Sequence, residues 1–314
     1  MASSALGAGL PHSPDVFVTR FFNNDVQRFF GPQSSAAGAA HPSPGSPGAQ
    51  YSRGVVARRP WGVAFGPDGN LYVANQQGGD GAIMRLKGPF SSDPGAPAPA
   101  PGQSGDVFVA SGNFLVLAFG LDQNLYAGSA GPVQRFDVAT GASLGSFTRS
   151  YNLQSVQGIA FGPDQNFYVS NFNSCVPGPT CLTTRSEVLR FDGKTGAFLG
   201  TFVHDGSGGL HNVGGIAFGT NGDLFVCAGD EVLRFHGPLH WAAGHPFPAP
   251  GHKGARFAAT PNVTPFQLAF GPDRSLYVTH DAGIIEYDGR TGAFIRNFAS
   301  VSNARGIAFY TGDK

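Results

Sequence analysis

The stretch Gly62-Val-Ala-Phe-Gly-Pro-Asp-Gly-Asn-Leu-Tyr-Val-Ala-Asn75 decides the fold, because the chain repeats it. It returns as Val116-Leu-Ala-Phe-Gly-Leu-Asp-Gln-Asn-Leu-Tyr-Ala-Gly-Ser129, and as Gly158-Ile-Ala-Phe-Gly-Pro-Asp-Gln-Asn-Phe-Tyr-Val-Ser-Asn171. Two more copies are Gly215-Ile-Ala-Phe-Gly-Thr-Asn-Gly-Asp-Leu-Phe-Val-Cys-Ala228 and Gln267-Leu-Ala-Phe-Gly-Pro-Asp-Arg-Ser-Leu-Tyr-Val-Thr-His280, and Gly306-Ile-Ala-Phe309 begins a sixth. Small and β-branched residues precede a tight turn, in which Pro presets φ, Asp bonds its own backbone and Gly supplies φ > 0. Each copy therefore reads as two short strands around a turn.

Working outward, a second phrase follows each hairpin: Ile83-Met-Arg-Leu86, Val133-Gln-Arg-Phe-Asp137, Val188-Leu-Arg-Phe-Asp192, Val232-Leu-Arg-Phe235 and Ile284-Ile-Glu-Tyr-Asp288. This is a third strand. Three units add a fourth, Ala142–Phe147, Ala197–Val203 and Ala293–Phe298. Four antiparallel strands in roughly 40 to 55 residues make a propeller blade. Asp15-Val-Phe-Val18 and Asp25-Val-Gln-Arg-Phe29 match second and third strands that lack a first, and Gly306–Phe309 is a first strand without followers. The expectation is an all-β, six-bladed propeller over residues 1–314 as one domain, closed by pairing the last strand with the first and so removing exposed edges. Residues 1–12 are expected to be a flexible N-terminus.

The repeats resemble the NHL family and the wider NHL/SMP-30-like superfamily, and the pair of phrases is closest to secreted bacterial NHL-type propellers. The resemblance spans nearly the whole chain and speaks to fold rather than chemistry.

Composition narrows the function classes. Twenty basic and twenty acidic residues give zero net charge and only 13% of residues are charged, so there is no electrostatic footprint for nucleic acid. No apolar run approaches the roughly 18 residues of a membrane span. Residues 1–10 lack the basic and apolar regions of a signal peptide. With the resemblance to secreted propellers, an extracellular or periplasmic location is expected, behind a processed N-terminus. Cys175 and Cys181 bracket Val-Pro-Gly-Pro-Thr, a spacing that could close a small disulfide ring. Cys227 reads as a small strand residue.

Blade geometry sorts the loops. The turns between strands one and two, and between three and four, share one face. That face receives three insertions rich in Pro, Ala, Gly and Ser, at 31–49, 89–104 and 238–253, read as solvated or docked arms that could mediate self-assembly. His236, His240, His245 and His252 fall in or beside the third, at spacings that match no compact ligand set, so a surface loop is expected. One Arg per third strand (Arg28, Arg85, Arg135, Arg190, Arg234), with Glu286 in the sixth, reads as stems packed between blades with heads in water.

The opposite face, over the mouth of the central channel, is where propellers of the resembled kind usually keep ligands. It inherits Arg20, Asn75, Ser129, Asn171 and His280 from the ends of second strands. Arg59, Trp61, Asn113, Gln157, His211, Asn212, Gln267 and Arg305 come from the segments leading into first strands. The gluconolactonase type, which this architecture resembles, implies a divalent cation held by Glu with Asn and Asp; its Glu position falls near Arg59-Pro60-Trp61, where there is none, and Glu187, Glu231 and Glu286 read as lying away from the channel. Streptogramin lyase and the peptidyl-amidating lyase, two related types, imply His-based metal chemistry that His211 and His280 could approach. No nucleophile elbow occurs. The expectation is a non-catalytic extracellular binding or assembly module without a cofactor, its partner a protein or glycan and its Phe content of 28 supplying contacts. The alternative is a metal-assisted lyase or hydrolase with its site at the channel mouth.

Overall fold

The computed structural model describes residues 14–53, 57–76, 82–149, 151–173 and 185–310. Residues 1–12 and the pair Cys175 and Cys181 lie outside them, as does the disulfide expectation. Among the described residues there is no α-helix, and no helix is long and apolar enough to cross a membrane.

The chain opens with β1 (Val16–Arg20) and β2 (Asp25–Phe29), which belong with its last strand. Blade 1 follows as β3 (Pro60–Phe65), β4 (Leu71–Asn75), β5 (Ile83–Leu86) and β6 (Val107–Val109); blade 2 is β7 (Val116–Phe119), β8 (Leu125–Gly128), β9 (Gln134–Phe136) and β10 (Ser143–Ser146). Blade 3 holds β11 (Val156–Phe161), β12 (Phe167–Asn173), β13 (Arg185–Phe191) and β14 (Phe198–Val203). Blade 4 holds β15 (Val213–Phe218), β16 (Leu224–Ala228), β17 (Glu231–Phe235) and β18 (Arg256–Ala259). Blade 5 is β19 (Leu268–Phe270), β20 (Leu276–His280), β21 (Gly283–Tyr287) and β22 (Phe294–Ser300). Blade 6 joins β23 (Ala304–Phe309) to β1 and β2 in register Val16↔Phe309, Phe17↔Ala308 and Val18↔Ile307, while Gln50 and Ala40 bridge its outer edge in place of a regular fourth strand. The ring closes as the orphan half-repeats require.

The core lies between blades. Along β4, Leu71 and Val73 pack toward blade 6 and Tyr72 and Ala74 toward blade 2, so a strand's two-residue period serves two neighbours at once. One aromatic pattern recurs at all six junctions. The second-strand ring of each blade (Tyr72, Tyr126, Tyr168, Phe225, Tyr277, Phe17) takes edge contacts from an outer ring of its own blade, such as Phe108 or Phe202, and from the Phe of the next Ala-Phe pair. Tyr72 stands 4.9 Å from Phe108 and 5.0 Å from Phe119. Much of the phenylalanine is thus committed to the core, which corrects the expectation that it supplies partner contacts.

The repeated turn explains itself. Asp164 Oδ1 accepts the Asn166 N–H, and Oδ2 accepts the Asn166 side-chain amide at 2.7 Å and the Tyr168 hydroxyl at 2.9 Å. The same Asp-to-Tyr bond, four residues apart, ties Asp68 to Tyr72, Asp122 to Tyr126 and Asp273 to Tyr277. Blades are sealed on this face by a second device. Gly196, with φ of 73°, brings its Cα against the carbonyl of Phe147 in blade 2, where a Cβ would overlap the oxygen. Gly38, Gly95, Gly141, Gly244 and Gly292 occupy the equivalent place in the other five blades.

Three of those glycines lie in the insertions, which are docked rather than solvated. Phe29↔Ala40, Leu86↔Pro97 and Phe235↔Pro246 bridge them to third strands. Arg85 donates to the carbonyls of Ala98 and Pro99, and Arg234 to those of Phe247 and Pro248, at 2.6–2.9 Å. Their guanidinium heads satisfy the inserted backbone instead of standing in water, which corrects that expectation. Arg28 pairs with Asp15, and Glu286 is answered across the sheet by Arg296.

Candidate functional site

First strands line the channel. Gly62, Val63, Val116, Leu117, Ile159, Gln267, Gly306 and Ile307 enclose about 40 Å³, room for water but not for a substrate. Gln267 Nε2 donates to the Gln157 carbonyl at 2.8 Å, an amide brace between blades 5 and 3. Any ligand chemistry on this axis belongs to the mouth above.

One half of the mouth, on blades 5, 6 and 1, is a wall of cations and aromatic rings. Arg305 is 7% exposed, yet its guanidinium carbon stands 3.7 Å from the Phe266 centroid and 5.2 Å from that of Trp61. Its Nη1 donates to Asp281 Oδ1 at 2.7 Å, whereas its buried Nε has no hydrogen-bond partner among the described residues. Phe21 packs edge-on against Trp61 at 5.4 Å and takes the Arg59 guanidinium at 5.5 Å. Arg59 has φ of 52° and donates its N–H to Asn24 Oδ1 at 2.9 Å. Arg20 grips Asp25 through two bonds, from Nε to Oδ1 and from Nη2 to Oδ2.

Blade 3 carries the other half. Asn171 is buried, its Oδ1 accepting the N–H of Gln154 at 3.0 Å and of Ser155 at 3.4 Å, and its Nδ2 donating to Glu187 Oε1 at 3.2 Å. The Tyr151 hydroxyl donates to the same oxygen at 3.0 Å, and burial, followed by the Glu187 charge, raises the Tyr151 pKa. Among the described residues Glu187 Oε2 takes no hydrogen bond.

Asn75 plays the Asn171 part in blade 1, accepting the Arg58 N–H at 3.2 Å. The remaining candidates stay apart. Asn113 and Asn212 are exposed, and Asn212 accepts the Gly229 N–H at 3.4 Å. The Ser129 carbonyl accepts the Val156 N–H at 2.7 Å. His211 donates from Nδ1 to the Gly209 carbonyl at 2.7 Å and lays its ring on Gly229. His280 is buried, which lowers its pKa against the pull of Asp281, and its Nδ1 accepts the Ala282 N–H at 3.3 Å. Among the described residues no group of three His, Cys, Asp or Glu side chains could hold a metal ion. The histidines of the third insertion form a stack instead, His236 lying 4.0 Å from His240 and 4.2 Å from Phe247.

Glu187, Phe21 and Phe266 were not among the sequence candidates. The reading of Glu187 as remote followed from its place on an outer strand; the register Asn171↔Glu187 puts it at the mouth end of that strand. The divalent cation implied by the gluconolactonase resemblance does not fit these residues. A hard cation needs clustered oxygens, but the Asn75 and Asn171 carbonyl oxygens already cap incoming backbone, and Arg59 stands where the acid is needed.

No family model matches the sequence, and no curated protein matches it. Solved structures do. A gluconolactonase from Xanthomonas campestris is 15% identical at a TM-score of 0.59, over 98% of this chain and 91% of that one. A protein described as a putative gluconolactonase is 12% identical at 0.58, over 93% and 89%. A putative 6-phosphogluconolactonase from Bacteroides uniformis is 12% identical at 0.56, over 95% and 100%. At such identities the likeness is one of fold, that of the gluconolactonase-type propellers. It overturns the expectation of a non-catalytic module, since structures sharing this ring over almost its whole length carry the names of lactone hydrolases.

Proposed function

We propose that the protein is a hydrolase of cyclic esters, acting at the channel mouth on a lactone of sugar-acid type. The observation that carries this reading is Glu187 at the mouth end of its strand, a carboxylate with one oxygen committed to Asn171 and Tyr151 and the other without a hydrogen bond among the described residues. The shared architecture of the gluconolactonases supports the choice of substrate class.

Glu187 Oε2 takes a proton from water, and the water oxygen adds to the lactone carbonyl carbon. Asn171 and Tyr151 hold the carboxylate in place through Oε1. The ring C–O bond then breaks, its oxygen takes the proton held by Glu187, and a hydroxy acid leaves.

A pH-stat assay over a panel of γ- and δ-aldonolactones tests the reading. Turnover is expected, with Glu187→Gln lowering kcat by about 10²–10⁴-fold and prior treatment with EDTA leaving it unchanged. Absence of turnover across the panel, or full activity in Glu187→Gln, overturns the proposal. Loss of activity on EDTA treatment, restored by a divalent cation, overturns the metal-free mechanism.

A further inference from the structure

The turn face holds a second cleft, of about 300 Å³, where blade 2 meets blade 3. Arg135 of β9, Leu144 and Ser146 of β10, then Phe147 and Arg149, form one wall; the β13–β14 turn, Lys194 to Ala197, forms the other. Three cations line it and no carboxylate does. In a chain of zero net charge this is a local departure that needs a cause.

One acid lies beside the cleft and another turns away from it. Asp122 Oδ2 accepts the Tyr126 hydroxyl and the Asn124 amide and forms a loose ion pair, 3.6 Å long, with Arg135 Nη1. Asp192 turns Oδ1 into its own loop, taking the N–H groups of Lys194 and Thr195 and the Thr195 hydroxyl. Arg149 is fixed through Nε, which donates to the Ser146 carbonyl at 2.8 Å, and its Nη2 lies over Gly145. The repeat sharpens the point. At the matching position Arg85 and Arg234 give their guanidinium groups to inserted carbonyls, and Arg28 gives its own to Asp15. Blades 2 and 3 have no insertion, and Arg135 of blade 2, loosely paired with Asp122, lines the cleft.

We propose that this cleft binds a small ligand bearing a tetrahedral oxyanion, a phosphate or sulfate ester on a sugar-sized body. Two guanidinium groups and an ammonium complement the charge of such a group. The volume suits a monosaccharide ester rather than a polymer, and Leu144 and Phe147 offer apolar surface to its carbon skeleton. This site is distinct from the mouth and does not depend on the lactonase reading.

Titration calorimetry of the full chain tests it, with glucose 6-phosphate, glucose 6-sulfate, inorganic phosphate and glucose as probes at low and high salt. Saturable binding of at least one ester is expected, tighter than that of inorganic phosphate, absent for glucose and weakened by salt. Arg149→Gln combined with Lys194→Gln changes two exposed side chains and should weaken binding at least about tenfold. Ala197→Glu, which adds an acid to the wall, should abolish it. Failure of both esters to bind at millimolar concentration overturns the proposal, and so does binding that both variants leave intact while their circular dichroism matches the parent. Comparison of the two esters names the source of the oxyanion.

Discussion

The two faces of the ring obey different rules. On the turn face the blades agree: six left-handed glycines seal six junctions, and four Asp–Tyr bonds lock four turns. Around the mouth they disagree, with second strands reaching Arg20, Asn75, Ser129, Asn171, Ala228 and His280 at corresponding places. Repetition marks what every blade needs in order to pack. Divergence marks where one blade can do what its neighbours do not, and a ring of like units becomes asymmetric only there. The cationic cleft obeys the same logic, since it opens on the turn face where blades 2 and 3 meet, both of them without the insertion that caps the shared arginine in blades 1 and 4.

The largest expected effect separates a sealing glycine from an unconstrained one. Gly196→Ala adds left-handed strain, about 1–2 kcal/mol, to an overlap with the Phe147 carbonyl that only a blade shift relieves. A loss of about 3 kcal/mol or more is expected. Gly131, on the link between β8 and β9, has φ of 80° and open space around its Cα, so Gly131→Ala carries the strain alone, about 1 kcal/mol. Denaturant unfolding of the two variants measures the difference. Equal losses would show that the junction yields freely and that the agreement among blades has another origin.

A smaller effect probes the mouth. Arg305→Lys keeps a positive charge beneath Phe266 but removes the planar fork that packs on that ring and bonds Asp281. Stability should fall by about 1 kcal/mol while kcat/KM moves little. A kcat/KM that falls about tenfold at an unchanged denaturant midpoint would instead make Arg305 a substrate-binding group.

The ring, its closure and the sorting of loops were legible in the sequence, because each rests on short-range regularities: a turn that needs Pro-Asp-Gly, strands with a period of two, and half-repeats that require one another. The candidate mouth was legible only in part. Arg305, Trp61, Arg59 and Asn171 are placed on that face by strand position, but Glu187 depends on the β12–β13 register, which the intervening loop hides. Nothing in the sequence marks Phe266 and Phe21, which the fold brings against Arg305. His211 and His280 share a face in the sequence and yet bond within their own blades, because a face says nothing about where a ring is turned.

The smallest effect is a test of the turn lock and carries a pH signature. Tyr168→Phe removes one hydrogen bond from Asp164, which keeps those of Asn166, so the cost near neutrality is about 1 kcal/mol. Blade 4 already lives with this chemistry, pairing Phe225 with Asn221 in place of Asp. Burial, reinforced by the Asp164 charge, raises the Tyr168 pKa, and burial pushes Tyr126 up to about 12. An unfolded tyrosine ionises near pH 10. A phenol whose folded pKa is raised lends stability that is fully present below that value and is lost as pH climbs from it toward the folded one. Stability of the parent should therefore decline above about pH 10, while Tyr168→Phe lacks one of the groups responsible. The gap between the two proteins in urea unfolding should narrow between about pH 8 and pH 11. A gap that stays constant would mean that Tyr168 ionises as readily in the ring as outside it, and that its hydroxyl is not held by Asp164.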